Sequence, residues 1–361
     1  MSRKPALAVV GATGATGSVL LRILSQRADV WGGIRLVASP RSVGRTLTVR
    51  GEECPVVPLD EDAFAGVDLA LFLVPDEIAA RWAPVAALRG AVVVDTSAAF
   101  RLDPDVPLVV PEVNPHSVRL RPRGIVAGPG AATLAMAPTV GALHAAFGLR
   151  DLVVASYQAA SAGGRSAVAA LRRELSLVAG TELGSAPGDV RRVVNGPPAA
   201  PGRGPLPSAR DEAPLALNVV PWTGTLQEDG WSSEELGLRA ETRRILALPR
   251  LRVSATFVRV PVVTGHSLAV HARFEDEVTV ERAHEILATA PGVVLFDDPA
   301  AGDFPTPADV AGTDPTWVGR VRRSPDDPRA LDLFLCGDNL RKGAALNAAQ
   351  IAESIAEELP L

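Results

Sequence analysis

The sequence predicts an α/β fold in two parts: a doubly wound parallel sheet first, then an α+β domain with a mixed sheet. Short apolar runs at Ala6–Val10, Ile34–Ala38, Leu69–Val74, Ala91–Val94 and Ile125–Ala127 alternate with helix-like stretches such as Glu77–Leu88. That alternation is the pattern of parallel βαβ units. The first run passes through Gly11-Ala-Thr-Gly14-Ala-Thr-Gly17 into Val19–Leu24, reading as strand, glycine-rich turn and helix. After about residue 150 the runs lengthen and alternate, at Leu152–Tyr157, Leu215–Val220, Val253–Val263, Ser267–Phe274 and Leu331–Cys336, as suits a mixed or antiparallel sheet.

Asn195–Pro214 carries Pro197, Pro198, Pro201, Pro205, Pro207 and Pro214 and reads as a surface excursion. Arg341–Glu358 reads as a terminal amphipathic helix that packs back on the first domain. The expected division is 1–130 for the nucleotide-binding domain, with 340–361 returning to it, and 131–339 for the second domain.

Composition narrows the function. A chain of 361 residues is long enough for two cores. Its formal charge of −5 argues against a nucleic-acid partner, which favours a basic excess. The longest apolar runs fall short of the roughly 20 residues of a membrane span, and the start lacks a signal-peptide pattern, so a cytoplasmic protein is expected. Cys54 and Cys336 are the only cysteines and lie far apart, suggesting neither a disulfide framework nor a metal site. Lys4 and Lys342 are the only lysines, which leaves few candidates for Schiff-base chemistry.

Gly11, Gly14 and Gly17, with Thr13, Ala15 and Thr16 between them, form a GxxGxxG variant of the dinucleotide fingerprint. The first glycine permits the turn, and the second lets backbone approach a pyrophosphate lying at a helix N-terminus. This makes the first sheet Rossmann-type. After the second apolar run the chain offers Ser39, Arg41 and Ser42 and no acidic residue, which favours the 2′-phosphate of NADP(H) over the free ribose of NAD.

Six strings then carry a resemblance: Val10–Gly17, Asp95–Asn114, Gly128–Met136, Ser156–Gly164, Val258–Ser267 and Asp338–Glu353. Together they resemble aspartate-semialdehyde dehydrogenase over nearly the whole chain, and match the related N-acetyl-glutamyl-phosphate reductases less well. The resemblance implies NADPH-dependent reduction of β-aspartyl phosphate to aspartate semialdehyde, or the reverse, through a cysteine thioester. It implies that the second domain is catalytic and makes a homodimer through its sheet, with a tetramer as the larger alternative. Residue by residue it gives His266 as acid/base and Gln158 as the group that positions substrate. It gives Arg259 to the α-carboxylate, Glu234 to the α-ammonium and Arg101 to phosphate, with Ser97 as helper. From the same strings Asn114 joins the substrate set, and Thr96 and Asn339 join the cofactor set.

The departures are as specific. Gly128-Pro129-Gly130-Ala131, followed by Ala132-Thr133, stands where the family has a motif like Asn-Pro-Asn-Cys. Ala131 therefore occupies the nucleophile position, and it has no nucleophilic atom. Gly130 replaces an asparagine, and Gly237 replaces a lysine expected three residues after Glu234. Leu73-Val74-Pro75-Asp76-Glu77 stands in place of a Ser-Ala-Gly-Gly-like stretch near the nicotinamide. Three readings follow: an engineered Cys→Ala change, a redirected reductase acting on an aspartate-like aldehyde or imine, or a non-catalytic relative. The two extra glycines weigh against a single engineered change.

Overall fold

In the computed structural model the described residues are 3–27, 30–195 and 213–359. They form two sheets that flank a buried central helix. The first part of the chain runs β1 (Leu7–Val10), α1 (Ala15–Gln26), β2 (Ile34–Ala38), β3 (Thr46–Val49), β4 (Glu52–Pro58), β5 (Leu69–Phe72), α2 (Asp76–Leu88), β6 (Val92–Asp95) and β7 (Ile125–Ala127). Its seven strands lie in the order β3-β4-β2-β1-β5-β6-β7. All neighbours are parallel except the edge pair of β3 with β4.

Strands β1 and β5 are buried along their whole length, as expected when helices cover both faces of a parallel sheet. Helix α1 packs Val19, Leu20, Ile23 and Leu24 onto this sheet. The β3–β4 hairpin is absent from the sequence expectation. Its turn is Arg50-Gly51, with φ of +56° and +78°, the twist of a type I′ turn made without the usual asparagine or aspartate.

Helix α3 (Ala131–Phe147) starts the second part and is buried over most of its surface, so the chain around it shows little helical periodicity. There follow β8 (Leu149–Gln158), α4 (Gly164–Val178), α5 (Asp189–Asn195), α6 (Ser233–Ile245), β9 (Arg252–Arg259) and β10 (His266–Phe274). Then come α7 (Val280–Thr289), β11 (Val293–Leu295), α8 (Pro307–Val310), β12 (Thr316–Arg323) and β13 (Ala330–Gly337). The six strands take the order β11-β12-β13-β10-β8-β9 in a mixed sheet, with parallel pairs at β8–β9 and β11–β12.

Two strand expectations are corrected. Leu215–Val220 forms a turn and a single bridge from Val220 to Arg259 instead of a strand. The amides of Leu215 and Ala216 donate to Glu174, and Leu217 takes φ +54°, so the ladder bonds a strand needs are already spent. The run Val253–Val263 stops at Arg259, because Pro261 lacks an amide for a further ladder bond. Residues 196–212, which hold Pro197, Pro198, Pro201, Pro205 and Pro207, lie outside the described residues.

The chain end returns to the first sheet. It begins as a π-helical turn, Arg341–Leu346, and continues as α9 (Asn347–Ala356), with Ala345, Ala348, Ile351 and Ile355 joining the core of α1 and β1. Lys342 is buried and pairs with Glu112 at 2.5 Å, so it is a structural cation.

Gly11 sits at φ +91°, and a Cβ built there lies 2.3 Å from the Leu73 carbonyl oxygen. Backbone cannot swing aside as a side chain would. Gly11→Ala is therefore expected to cost about 2 kcal/mol or more and to lower Tm by roughly 5 °C, read by thermal unfolding. An unchanged Tm would show that the loop yields freely.

Candidate functional site

The C-terminal ends of the first-sheet strands, the start of α3 and the edge of the second sheet enclose one cleft of about 500 Å³. It is lined by Gly14, Ala15 and Thr16 of the glycine loop, by Thr96 and Arg101, by Ala131, and by Gln158, Glu234, Arg259, His266 and Asn339. The structure thus brings most of the sequence-nominated residues together across two sheets.

On the nucleotide side, Gly14 caps α1 without a side-chain bond, and the first turn of α1 holds no acidic residue. Those first-turn amides and the helix dipole suit a phosphate group. Gly11 and Gly17 shape the loop without lining the cleft: a Cβ on Gly17 would lie 2.3 Å from the Gly11 carbonyl oxygen. Ser39 and Arg41 are exposed beyond β2, while Ser42 is buried with its hydroxyl 3.2 Å from that of Thr13. Leu73, Val74 and Pro75 form an apolar wall where the family strings led us to expect small residues.

His266 opens β10 and is 1% exposed. Its Nδ1 accepts the Ala159 amide at 3.1 Å, which leaves the proton of the neutral ring on Nε2. Burial pushes its pKa down to about 3. The ring is therefore a neutral donor at physiological pH. Asn339 fixes the approach to this ring, since its Oδ1 accepts the Gly265 amide at 3.0 Å and its Nδ2 donates to Ser161 at 2.9 Å. Gln158 is buried at the end of β8, donating to Ser156.

Glu234 and Arg259 both line the cleft, a carboxylate and a guanidinium close enough for the Arg259 charge to act on Glu234. Glu234 is exposed to the cleft but flanked by protein, and desolvation raises its pKa, against the pull of Arg101. The Arg259 side chain makes no hydrogen bond or ion pair among the described residues, so its planar fork is free for a carboxylate.

Two nominated residues serve elsewhere. Asn114 is a correction: its Oδ1 accepts the Val110 amide and its Nδ2 donates to the Leu108 carbonyl, pinning a loop on a separate cleft. Ser97 is another, because its hydroxyl donates to Asp95 at 2.6 Å and it does not line the site. Burial pushes the pKa of Asp95 up to about 6.

Ala131 is the first residue of α3 and lines the cleft with a methyl group. No thiol takes its place. Cys54 lies in β4, and Cys336 is buried in β13 with its sulfur 3.2 Å from the Ser267 hydroxyl and its pKa pushed up to about 11. Among the described residues no group of three or more His, Cys, Asp or Glu side chains is placed to hold a metal. No helix among them is long and apolar enough to cross a membrane.

Sequence reasoning missed Glu241, Ser161 and Thr223. Glu241 lies seven residues, two turns, beyond Glu234 on the same face of α6, and that spacing was available as a signal. Thr223 has a buried hydroxyl with no partner among the described residues and lines the cleft. Nothing in the sequence around it marks that role.

The family profile described as semialdehyde dehydrogenase, NAD binding domain, matches residues 6–121. That described as semialdehyde dehydrogenase, dimerisation domain, matches residues 140–342. An aspartate-semialdehyde dehydrogenase of Corynebacterium glutamicum is 44% identical over 357 residues, covering 96% of this chain and 98% of that protein. The structure of aspartate semialdehyde dehydrogenase II complexed with ASA from Vibrio cholerae aligns over 99% of both chains, with TM-score 0.87 and 34% identity. That of the Candida albicans enzyme with NADP shares the fold, with TM-score 0.71 and 22% identity over 98% of both chains.

Proposed function

This chain belongs to the aspartate-semialdehyde dehydrogenase family, and on that premise we propose that it is an NADP(H)-dependent oxidoreductase whose substrate is an aspartate-like amino acid already carrying an aldehyde or imine. One observation carries the reading: Arg259, Glu234, Gln158 and His266 converge on a cleft shared with the glycine loop, whose floor at Ala131 offers no nucleophile. Residues 1–130 with 340–361 form the cofactor half in this reading, and 131–339 the substrate half.

The residues present fit a dinucleotide. Glycines 11 and 17 sit where any Cβ would strike backbone, and the first turn of α1 keeps its amides free of an acidic cap. Gly14–Thr16 would hold the pyrophosphate, Ser39, Arg41 and Ser42 the 2′-phosphate, and Thr96 and Asn339 the nicotinamide end. When bound, the cofactor supplies a hydride. Arg259 and Glu234 hold the α-carboxylate and α-ammonium, and Gln158 orients the side chain. His266 presents its Nε2 proton to the carbonyl oxygen and stabilises the charge that develops there. No acyl-enzyme forms, so Ala131 need only make room.

The half-exposed face of the second sheet, with Val153, Tyr157, His271 and Phe334, supports a homodimer, and a tetramer would be the larger assembly. The fit to a soluble biosynthetic reductase supports a cytoplasmic setting.

NADPH titration followed by an NADPH-oxidation assay tests the reading. Binding and turnover of aspartate semialdehyde or its imine, with none of β-aspartyl phosphate, is the expected result. Tight NADPH binding without turnover of any such carbonyl would leave a non-catalytic relative, and absence of NADPH binding would remove the cofactor assignment.

A further inference from the structure

We propose that Glu241 is a charge lock, a specificity-determining residue that admits an amino acid with an uncharged side-chain carbonyl and turns away phosphate-bearing anions. The inference rests on the amino-acid cleft proposed above.

Glu241 is 3% exposed and reaches from α6 to the start of α3. Its Oε2 accepts the Gly130 amide at 2.9 Å and the Thr133 hydroxyl at 2.5 Å. Its Oε1 accepts Nη1 of Arg101 at 3.0 Å. No acidic residue lies in the first turn of α3, so this carboxylate supplies the negative charge that a helix N-terminus favours. Arg101 is bound on its other edges too, with Nε donating to the Gly128 carbonyl at 3.1 Å and Nη2 to that of Thr96 at 2.9 Å.

The guanidinium nominated for phosphate is thus already neutralised by the chain's own carboxylate. Among the described residues the only other cation lining the cleft is Arg259, which this reading gives to the α-carboxylate. Gly130 and Gly237 put no donor side chain at the cleft, and a Cβ on Gly237 would stand 3.7 Å from Oε1 of Glu241. Around the reacting end Arg101 cancels Glu241, while Arg259 and Glu234 match an α-carboxylate and an α-ammonium. A zwitterion with a neutral carbonyl leaves this wall balanced. An acyl phosphate brings about two further negative charges beside the Arg101–Glu241 pair, in a cleft where Glu234 already feels the charges of Glu241 and Asp76.

Titration of inorganic phosphate into the full-length protein, followed by calorimetry, tests the lock in wild type, Glu241→Gln and Gly237→Lys. A lysine at 237 sits one turn before Glu241 and would draw the carboxylate from Arg101. Both variants should tighten phosphate binding at least about tenfold, while binding of aspartate semialdehyde changes less than about threefold. Gly237→Lys keeps the buried bonds of Glu241 available and carries the test alone if Glu241→Gln does not fold. Unchanged phosphate affinity in the variants, or wild-type affinity already equal to theirs, overturns the lock while the amino-acid cleft stands. Failure of the wild type to bind aspartate semialdehyde overturns the cleft reading and this inference with it.

Discussion

Replacing His266 with asparagine is expected to lower kcat for carbonyl reduction by about 10²–10³-fold, the usual effect of removing one preorganised oxyanion donor. The variant keeps the local bond, because Asn Oδ1 can accept the Ala159 amide that Nδ1 of His266 accepts at 3.1 Å. Only the Nε2 proton is lost. The pH dependence separates this from general damage. The folded ring has its pKa at about 3 against an ordinary 6.5, so the folded state prefers the neutral form. Its contribution to stability is complete above the unfolded value and is lost as pH falls from about 6.5 toward 3, since the unfolded chain takes up the proton first. At pH 4 the wild type should therefore have lost about 3 kcal/mol that the asparagine variant keeps. Denaturant unfolding at pH 7 and pH 4 reads the difference. Parallel pH profiles for the two proteins would mean that the ring is not held neutral.

The fold was legible where constraints are local. The glycine loop announces itself because Gly11 needs φ +91° and Gly17 abuts the Gly11 carbonyl, demands that only glycine meets. The parallel strands read clearly because burial on both faces gives continuous apolar runs. Leu215–Val220 misled for a complementary reason: its apolar residues lie partly exposed on a turn, with their amides claimed by Glu174.

At the site, family strings located His266, Gln158 and Arg259, the wider resemblance gave Glu234, and the structure places all four on one cleft. They did not show what each atom is bonded to. Asn114 sits in a nominated string, yet both ends of its amide are spent on backbone. Glu241 carries no motif of its own, and its importance comes from the meeting of α6 with α3, over a hundred residues apart in sequence. The π turn at Arg341–Leu346 is likewise a place of tertiary contact: a Cβ on Gly343 would stand 2.8 Å from the methyl of Ala131, where the terminal helix meets the floor of the cleft.

Restoring the missing thiol by Ala131→Cys should leave phosphate- and NADP-dependent oxidation of aspartate semialdehyde at least about a hundred-fold below that of the triple variant Ala131→Cys, Gly130→Asn, Gly237→Lys. The thiol itself would be well placed. Position 131 begins α3, and a helix N-terminus favours thiolate, although the Glu241 carboxylate on the Gly130 amide and Thr133 hydroxyl offsets part of that effect. Labelling with iodoacetamide at neutral pH should accordingly reach the thiol in the single variant at a rate comparable to that in the triple variant. The deficit lies with the incoming phosphate. Each charge-assisted bond it lacks is worth about 1.5–3 kcal/mol, and both the amide at 130 and the ammonium at 237 are absent. Arg101 cannot compensate while Glu241 holds it at 3.0 Å. An asparagine at 130 must share space with Nη1 of Arg101, which lies 3.1 Å from the Cβ position, so the triple variant also requires that guanidinium to shift. The lysine at 237 gives it the freedom to do so by taking over the carboxylate. A single variant with the triple variant's labelling rate and turnover would show that the phosphate side was never impaired, and that Ala131 alone separates this chain from the phosphorylating reaction.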